Sequence, residues 1–349
     1  LANVDTTVGG VGGSSPFGPR RNDSMPANIA TTNGKPAFAY FGESPWHKLG
    51  QRLDAPATAA EAIVAAGLDY EITLTDVATV DGLMVPRTKA VVRYDNQSVL
   101  GTVSDRYVPV QNRQAFGFLD AVVADGGLRY HTAGALGRGE KIFLLAKLPG
   151  EIRVKNTDDL VNKYLLLSNA HDGSAALRVL FTPVRVVCQN TLSMALRQGQ
   201  GDGVSIRHNG NLVAKIEAAQ RVLGLATKFY DDAQSKIDRL ASVYPTQAQL
   251  DTYFKVLYPD PEDASDNGRA KETRERLHGL FEGGIGHDMP GIKNTFWCAY
   301  NAVTELLDHR TYRGRNEQER ASNRLQSIWW GTAAKIKEQA WEAALDLAV

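Results

Sequence analysis

Two periods of apolar spacing alternate along this chain, and the change between them divides it. From Tyr70 to Val110, apolar and polar positions alternate in the segments EITLTDVATV, KAVVRYD and SVLGTVSDRYVPV. A period of two sends successive side chains to opposite faces and predicts three strands. Asp81-Gly82 and Asp95-Asn96 supply the turns between them. Ahead of this block, Thr58 caps a predicted short helix, Ala59 to Ala66, that Gly67 ends. Behind it, Asn112 caps a predicted amphipathic helix from Arg113 to Ala124, with Phe116, Leu119, Ala121 and Val122 as its apolar stripe. Leu128 to Ala135 and Lys141 to Leu148 predict two further strands around the loop GALGRGEK.

The stretch from Lys163 to Arg197 is the most locally determined part. Tyr164 to Leu167 and Leu177 to Phe181 read as strands, and Asp172-Gly173 between them predicts a two-residue type I′ turn. That turn sets Tyr164 opposite Phe181, Leu166 opposite Val179 and Ser168 opposite Leu177 on a core face. Lys163 and Arg178 then share the other face with Leu165, Leu167 and Leu180. Such a face is either a solvated rim or the bed of a polyanion. Pro183 marks an edge or bulge, and Asn190 or Thr191 caps a helix through Leu192, Ala195 and Leu196.

After the glycine-rich break at Gly199 to Gly203, the period becomes helical. Leu212, Ile216, Ala219, Leu223, Ala226, Tyr230, Ala233, Ile237 and Leu240 recur at alternating steps of four and three. This heptad seam predicts a long helix paired with another, within the chain or across a homo-oligomer through residues 212–240. Helices are also predicted from Gln247 to Leu257, through Phe296, Tyr300, Val303 and Leu307, and from Glu317 to Leu347. The expected fold is α+β: a predominantly antiparallel sheet with packing helices, a β-β-β-α-like core, followed by an all-helical C-terminal region. Residues 1–33 read as a flexible tail, 34–200 as the α+β core domain and 211–349 as the helical region. Met25 is the expected natural start, which leaves residues 1–24 as an upstream extension.

Composition narrows the classes. Lys plus Arg and Asp plus Glu each number 39, so a uniformly basic nucleic-acid binder is disfavoured, though a local basic face is not. Between Arg138 and Gly210 ten cations meet six carboxylates, a surplus of four. Cys188 and Cys298 have no CxxC or Cys/His neighbours and read as buried thiols of a reducing cytosol. No run approaches the ~18 apolar residues of a membrane span. His47, beside Trp46, reads as a packed loop histidine, since no second histidine or paired carboxylate lies at ligand spacing. No cofactor or metal motif appears, and GGVGG lacks the following GK[ST] of a phosphate loop.

Six motifs occur in order: Pro45-Trp46-His47 with Leu49-Gly50, Val103 to Tyr107 with Pro109-Val110, Thr132-Ala133-Gly134, His171 to Ser174, Val184 to Leu192, and Tyr300 to Glu305 with Asp308-His309. Together they resemble the phage/plasmid-like family called domain of unknown function 932, over roughly Asn33 to Ala344. The resemblance implies a phage, prophage or plasmid setting inside a bacterial host cell, and it carries no catalytic residues. The expected role is single-stranded DNA binding or annealing in recombination, by analogy with the core of Rad-type annealing proteins. Phosphates would meet Arg138, Lys141, Lys163, Arg178 and Arg185, the last only if Pro183 bulges the strand. The alternatives are a structural or regulatory protein-interaction module, or a metal-dependent nuclease or hydrolase using His47, His171 or Asp172.

Overall fold

The computed structural model describes residues 30–32, 35–41, 51–54, 58–117, 119–120, 128–175, 177–185, 187, 204–205, 212–261 and 267–349. His47, Cys188, residues 1–29 of the expected tail and the helix expected through Leu192 to Leu196 lie outside them, as does the end of the helix expected from Arg113, while the last part of that tail is structured, with Ala30 buried and Thr31–Thr32 in a strand. The fold is α+β, with strands in the first part and helices alone from Leu212 onward.

Strands β1 (Thr31–Thr32) and β2 (Lys35–Pro36) form a small hairpin ahead of β3 (Phe38–Phe41) and β4 (Gln51–Leu53). Helix α1 (Ala59–Ala65) begins with a capping box: the Glu61 N–H donates to Thr58 Oγ1 at 3.2 Å and the Thr58 N–H to Glu61 Oε2 at 3.1 Å. The three strands expected from period two form their own antiparallel sheet: β5 (Ile72–Ala78), β6 (Met84–Arg93) and β7 (Ser98–Ser104). Helix α2 (Asn112–Phe116) leads to β8 (Arg129–Leu136), β9 (Lys141–Arg153), β10 (Leu160–Ala170), β11 (Arg178–Phe181), β12 (Val184–Arg185) and β13 (Val204–Ser205). The main sheet runs β13-β11-β10-β9-β8-β3-β4, with β12 also on β10. Its pairs are antiparallel except β3 with β4.

The hairpin register differs from expectation by one residue. Leu165 faces Phe181, Leu166 faces Leu180, Leu167 faces Val179 and Ser168 faces Arg178. Only Gly173 of the Asp172-Gly173 pair has positive φ, at 77°, so the turn is not type I′. The turn packs against the small sheet: Gly101 of β7 lies so close that a Cβ there would meet Asp172 Cα at 2.8 Å. Asp172 Oδ1 instead accepts from the Ser174 N–H at 2.9 Å, closing a wider turn.

Both faces of the central strands are covered, not one. Ile142 to Ala146 and Leu165 to Leu167 are each 0% exposed. Helix α3 (Leu212–Leu240) covers the face of Leu165 and Phe181: Phe229 lies 5.2 Å from the Phe181 ring. Tyr230 latches it, since its hydroxyl donates to Tyr164 O at 2.7 Å and accepts from the Tyr164 N–H at 3.0 Å. Ala226, Tyr230, Ala233, Ile237 and Leu240 of the heptad seam are buried within the chain, so over this stretch the seam is occupied in cis. Helices α4 (Gln247–Leu257), α5 (Asn267–Gly283) and α6 (Phe296–His309) follow. The last expected helix is two, α7 (Glu317–Trp330) and α8 (Thr332–Leu347), broken where Gly331 adopts φ −114°, ψ −155°. Trp329 of α7 closes the sheet's opposite face, with its ring 5.0 Å from Phe143.

Candidate nucleic-acid interface

The sequence put five cations forward, and the structure separates them. Arg138 sits exposed in the β8–β9 turn, between Gly137 (φ 68°) and Gly139 (φ 111°). Its N–H donates to Glu140 Oε2 at 2.5 Å, and its guanidinium reaches Leu100 O of β7 at 3.5 Å. Lys141 pairs with Ala170 and Arg178 with Ser168, while Ser168 pairs with Phe143. Lys141 and Arg178 therefore point to the Phe143 face, with Cα atoms about 12 Å apart by sheet spacing. Arg138, Lys141 and Arg178 thus gather at one end of the sheet. Glu140 and Asp172 lie at the same end, which leaves a surplus of one positive charge.

Lys163 does not join them. It lies about 23 Å along β10 from that end, on the opposite face, because the one-residue shift reverses its relation to Arg178. Its Nζ lies 5.7 Å from the centre of the Tyr230 ring. Arg185 is 0% exposed and cannot meet a polyanion. Its Nε donates to Asp159 Oδ1 and Oδ2 at 2.9 and 3.0 Å, and its remaining nitrogens donate to Ile285 O at 3.3 Å and Gly286 O at 2.9 Å. Trp297 Nε1 donates to Asp159 Oδ2 at 2.7 Å. Arg185 is a structural rivet between the sheet and the helical region; a buried carboxylate demands such a partner.

His171 and Asp172, the enzymatic candidates, are likewise structural. His171 is 0% exposed; burial lowers its pKa to about 4, so the ring is neutral. Nε2 donates to Asn112 Oδ1 at 2.7 Å, while Asn112 Nδ2 donates to Leu68 O at 2.7 Å. Tyr70 stacks edge-on to His171 at 6.4 Å and donates to Gly139 O at 2.9 Å. The buried Arg93 guanidinium covers the Tyr70 ring at 3.8 Å and pairs with Asp95 at 2.7 and 2.8 Å. This network is hydrogen-bonded throughout and joins the small sheet to the large one. Cys298 is buried, its thiol bonded to Ile292 O at 3.1 Å and its pKa raised by burial. Among the described residues, no group of three or more His, Cys, Asp or Glu is placed to hold a metal ion. None of their helices is long and apolar enough to cross a membrane.

One basic element escaped the sequence reading: the α6–α7 connection, Arg310-Thr311-Tyr312-Arg313-Gly314-Arg315-Asn316. Arg310, Arg313 and Arg315 are exposed and the segment holds no carboxylate. Three arginines within six residues around a tyrosine are the signal that the sequence carries for it.

The chain belongs to the family described as Domain of unknown function (DUF932), which matches residues 99–329. It is similar to the UPF0380 protein YafZ of Escherichia coli (strain K12), with 31% identity over 197 residues, or 56% of this chain. The match spans 61% of that relative's length. No solved structure matches the chain.

Proposed function

We propose that this protein binds single-stranded nucleic acid in the cytoplasm of a bacterial host, in recombination or annealing on a phage or plasmid. The observation that carries the reading is the gathering of Arg138, Lys141 and Arg178 at one sheet end, from two separate segments, the β8–β9 hairpin and β11. Phosphate contacts of this kind give salt-dependent affinity without base readout. The test is sizing of the full chain with a labelled oligothymidylate at low and high salt. A complex that forms at low salt and weakens in the Lys141→Ala/Arg178→Ala variant supports the reading. A chain indifferent to the oligonucleotide at low salt refutes it.

A second reading, a protein-interaction module, draws on the β5–β6 hairpin tip. Val80, Leu83 and Met84 there are 106, 68 and 60% exposed. Retention of a protein partner from host lysate, lost in Leu83→Asp, would favour it over the first.

A further inference from the structure

We infer that the α6–α7 loop is a second nucleic-acid contact, in which Arg310 and Arg313 grip phosphates and the Arg310–Tyr312 stack receives an unpaired base. This rests on the nucleic-acid reading above and adds a site in the helical half, distinct from the sheet end.

The loop is held before any ligand arrives. The Tyr312 hydroxyl donates to Leu307 O at 2.8 Å, and Asn323 Nδ2 to Arg313 O at 2.8 Å. Arg320 Nη1 donates to Gly314 O at 3.3 Å, and the Arg315 N–H to Glu319 Oε2 at 2.7 Å. Asn316 caps α7 by accepting from the Glu319 N–H at 2.8 Å. Gly314 is required for this closeness: a Cβ there would meet Arg320 N at 2.7 Å. A fixed backbone lowers the ordering cost of binding.

The cations on this frame differ in what they already do. Arg315 pairs with Glu319 at 3.3 Å. Among the described residues, neither Arg310 nor Arg313 has a carboxylate within ion-pair distance, so both charges are open to an anion. Arg310 lies over the Tyr312 ring, 4.7 Å from its centre. Tyr258 stands close to both: burial pushes its phenol up, and the Arg310 charge draws it back. Arg274 donates to Tyr258 O at 2.6 Å while Asp260 takes its charge. The result is an exposed guanidinium plane backed by one tyrosine and flanked by another. Guanidinium and aromatic planes both stack on bases, but only on bases freed from a duplex. Two unpaired guanidiniums beside a stacking plane fit a single strand better than an isolated phosphate.

The test is fluorescence anisotropy with a labelled oligothymidylate across a salt series, on the full chain. Arg310→Ala/Arg313→Ala is expected to bind at least tenfold more weakly, and the slope of log K against log salt to flatten by about 1.4, at ~0.7 per lost contact on single strands. Arg310→Lys keeps the charge and loses the plane; it is expected to weaken binding with the slope unchanged. All these side chains are exposed, so melting temperatures should match the parent within a degree or two. Binding and slope unchanged in Arg310→Ala/Arg313→Ala, with loss in Lys141→Ala/Arg178→Ala, would overturn the loop site and leave the sheet-end reading standing. Loss in the loop variant alone would do the reverse. No binding by the parent chain would sink both.

Discussion

Replacing Arg185 by Ala should be among the most damaging single changes in this protein. The guanidinium makes two hydrogen bonds to Asp159 and one each to Ile285 O and Gly286 O, all in a site from which water is excluded. Its removal strands a carboxylate that is itself 0% exposed. Breaking one side of a buried pair costs about 3–5 kcal/mol. Trp297 Nε1 still donates to Asp159, so the lower end applies. About 3 kcal/mol is ~150-fold in the folding equilibrium, against a total of roughly 5–15 kcal/mol for a native protein. Urea unfolding followed by tryptophan fluorescence reads the loss, and Trp297 reports on the site itself. Because Arg185 and Asp159 belong to the sheet and Ile285, Gly286 and Trp297 to the helical region, the variant should also unfold in two steps. The paired variant Asp159→Asn/Arg185→Met should recover most of the loss, since no charge is left buried. A loss below about 1 kcal/mol, the range of exposed ion pairs, would show that Arg185 is not the rivet described. A double variant no better than the single one would do the same.

Two further outcomes follow from buried polar groups. Burial holds His131, His171 and His287 each at about 4, below the 6.5 of an exposed imidazole. Between those values the unfolded chain binds more protons, so stability is full above about pH 6.5 and falls as pH drops toward 4. Imidazole resonances that titrate near 6.5 in the folded protein would contradict this. In Tyr230→Phe, the Tyr164 N–H loses the phenol oxygen as an acceptor and Tyr164 O loses the phenol as a donor, while the Thr182 N–H still donates to that oxygen at 3.0 Å. The expected cost is about 1–3 kcal/mol, with faster amide exchange at Tyr164 as the local signature; unaltered exchange there would argue against the latch.

What the sequence disclosed was local, and what it withheld was tertiary. The Thr58–Glu61 capping box, the three strands after Tyr70 and the span Leu212 to Leu240 are written in neighbouring residues and appear as expected. Asp172-Gly173 is also a local signal, yet the turn it marks packs against Gly101, about 70 positions away, and is wider than the two-residue form. That single residue of register moved Arg178 to the face opposite Lys163, and with it half of the anticipated basic surface. Arg185 could not be told from a surface cation, because its partner Asp159 and the carbonyls of Ile285 and Gly286 are supplied by distant segments. The heptad seam was legible as a stripe, but only the fold shows that its positions from Ala226 to Leu240 are buried against the sheet and other helices of the same chain.

The doubly covered β9–β10 hairpin has a consequence for synthesis. Strand β3 pairs with β8, and so waits for residues near Gly134. The hairpin itself is complete when Ala170 leaves the ribosome, yet its two lids, α3 and Trp329, come later. At 5–20 residues per second, the interval from Ala170 to Trp329 lasts about 8–30 s. Ile142 to Ala146 and Leu165 to Leu167, wholly buried in the finished protein, lack both lids until α3 is made and lack the Trp329 lid until the interval ends. A copy truncated near Gly203, which lacks both lids, is therefore expected to present that surface permanently and to aggregate unless a holding chaperone is supplied.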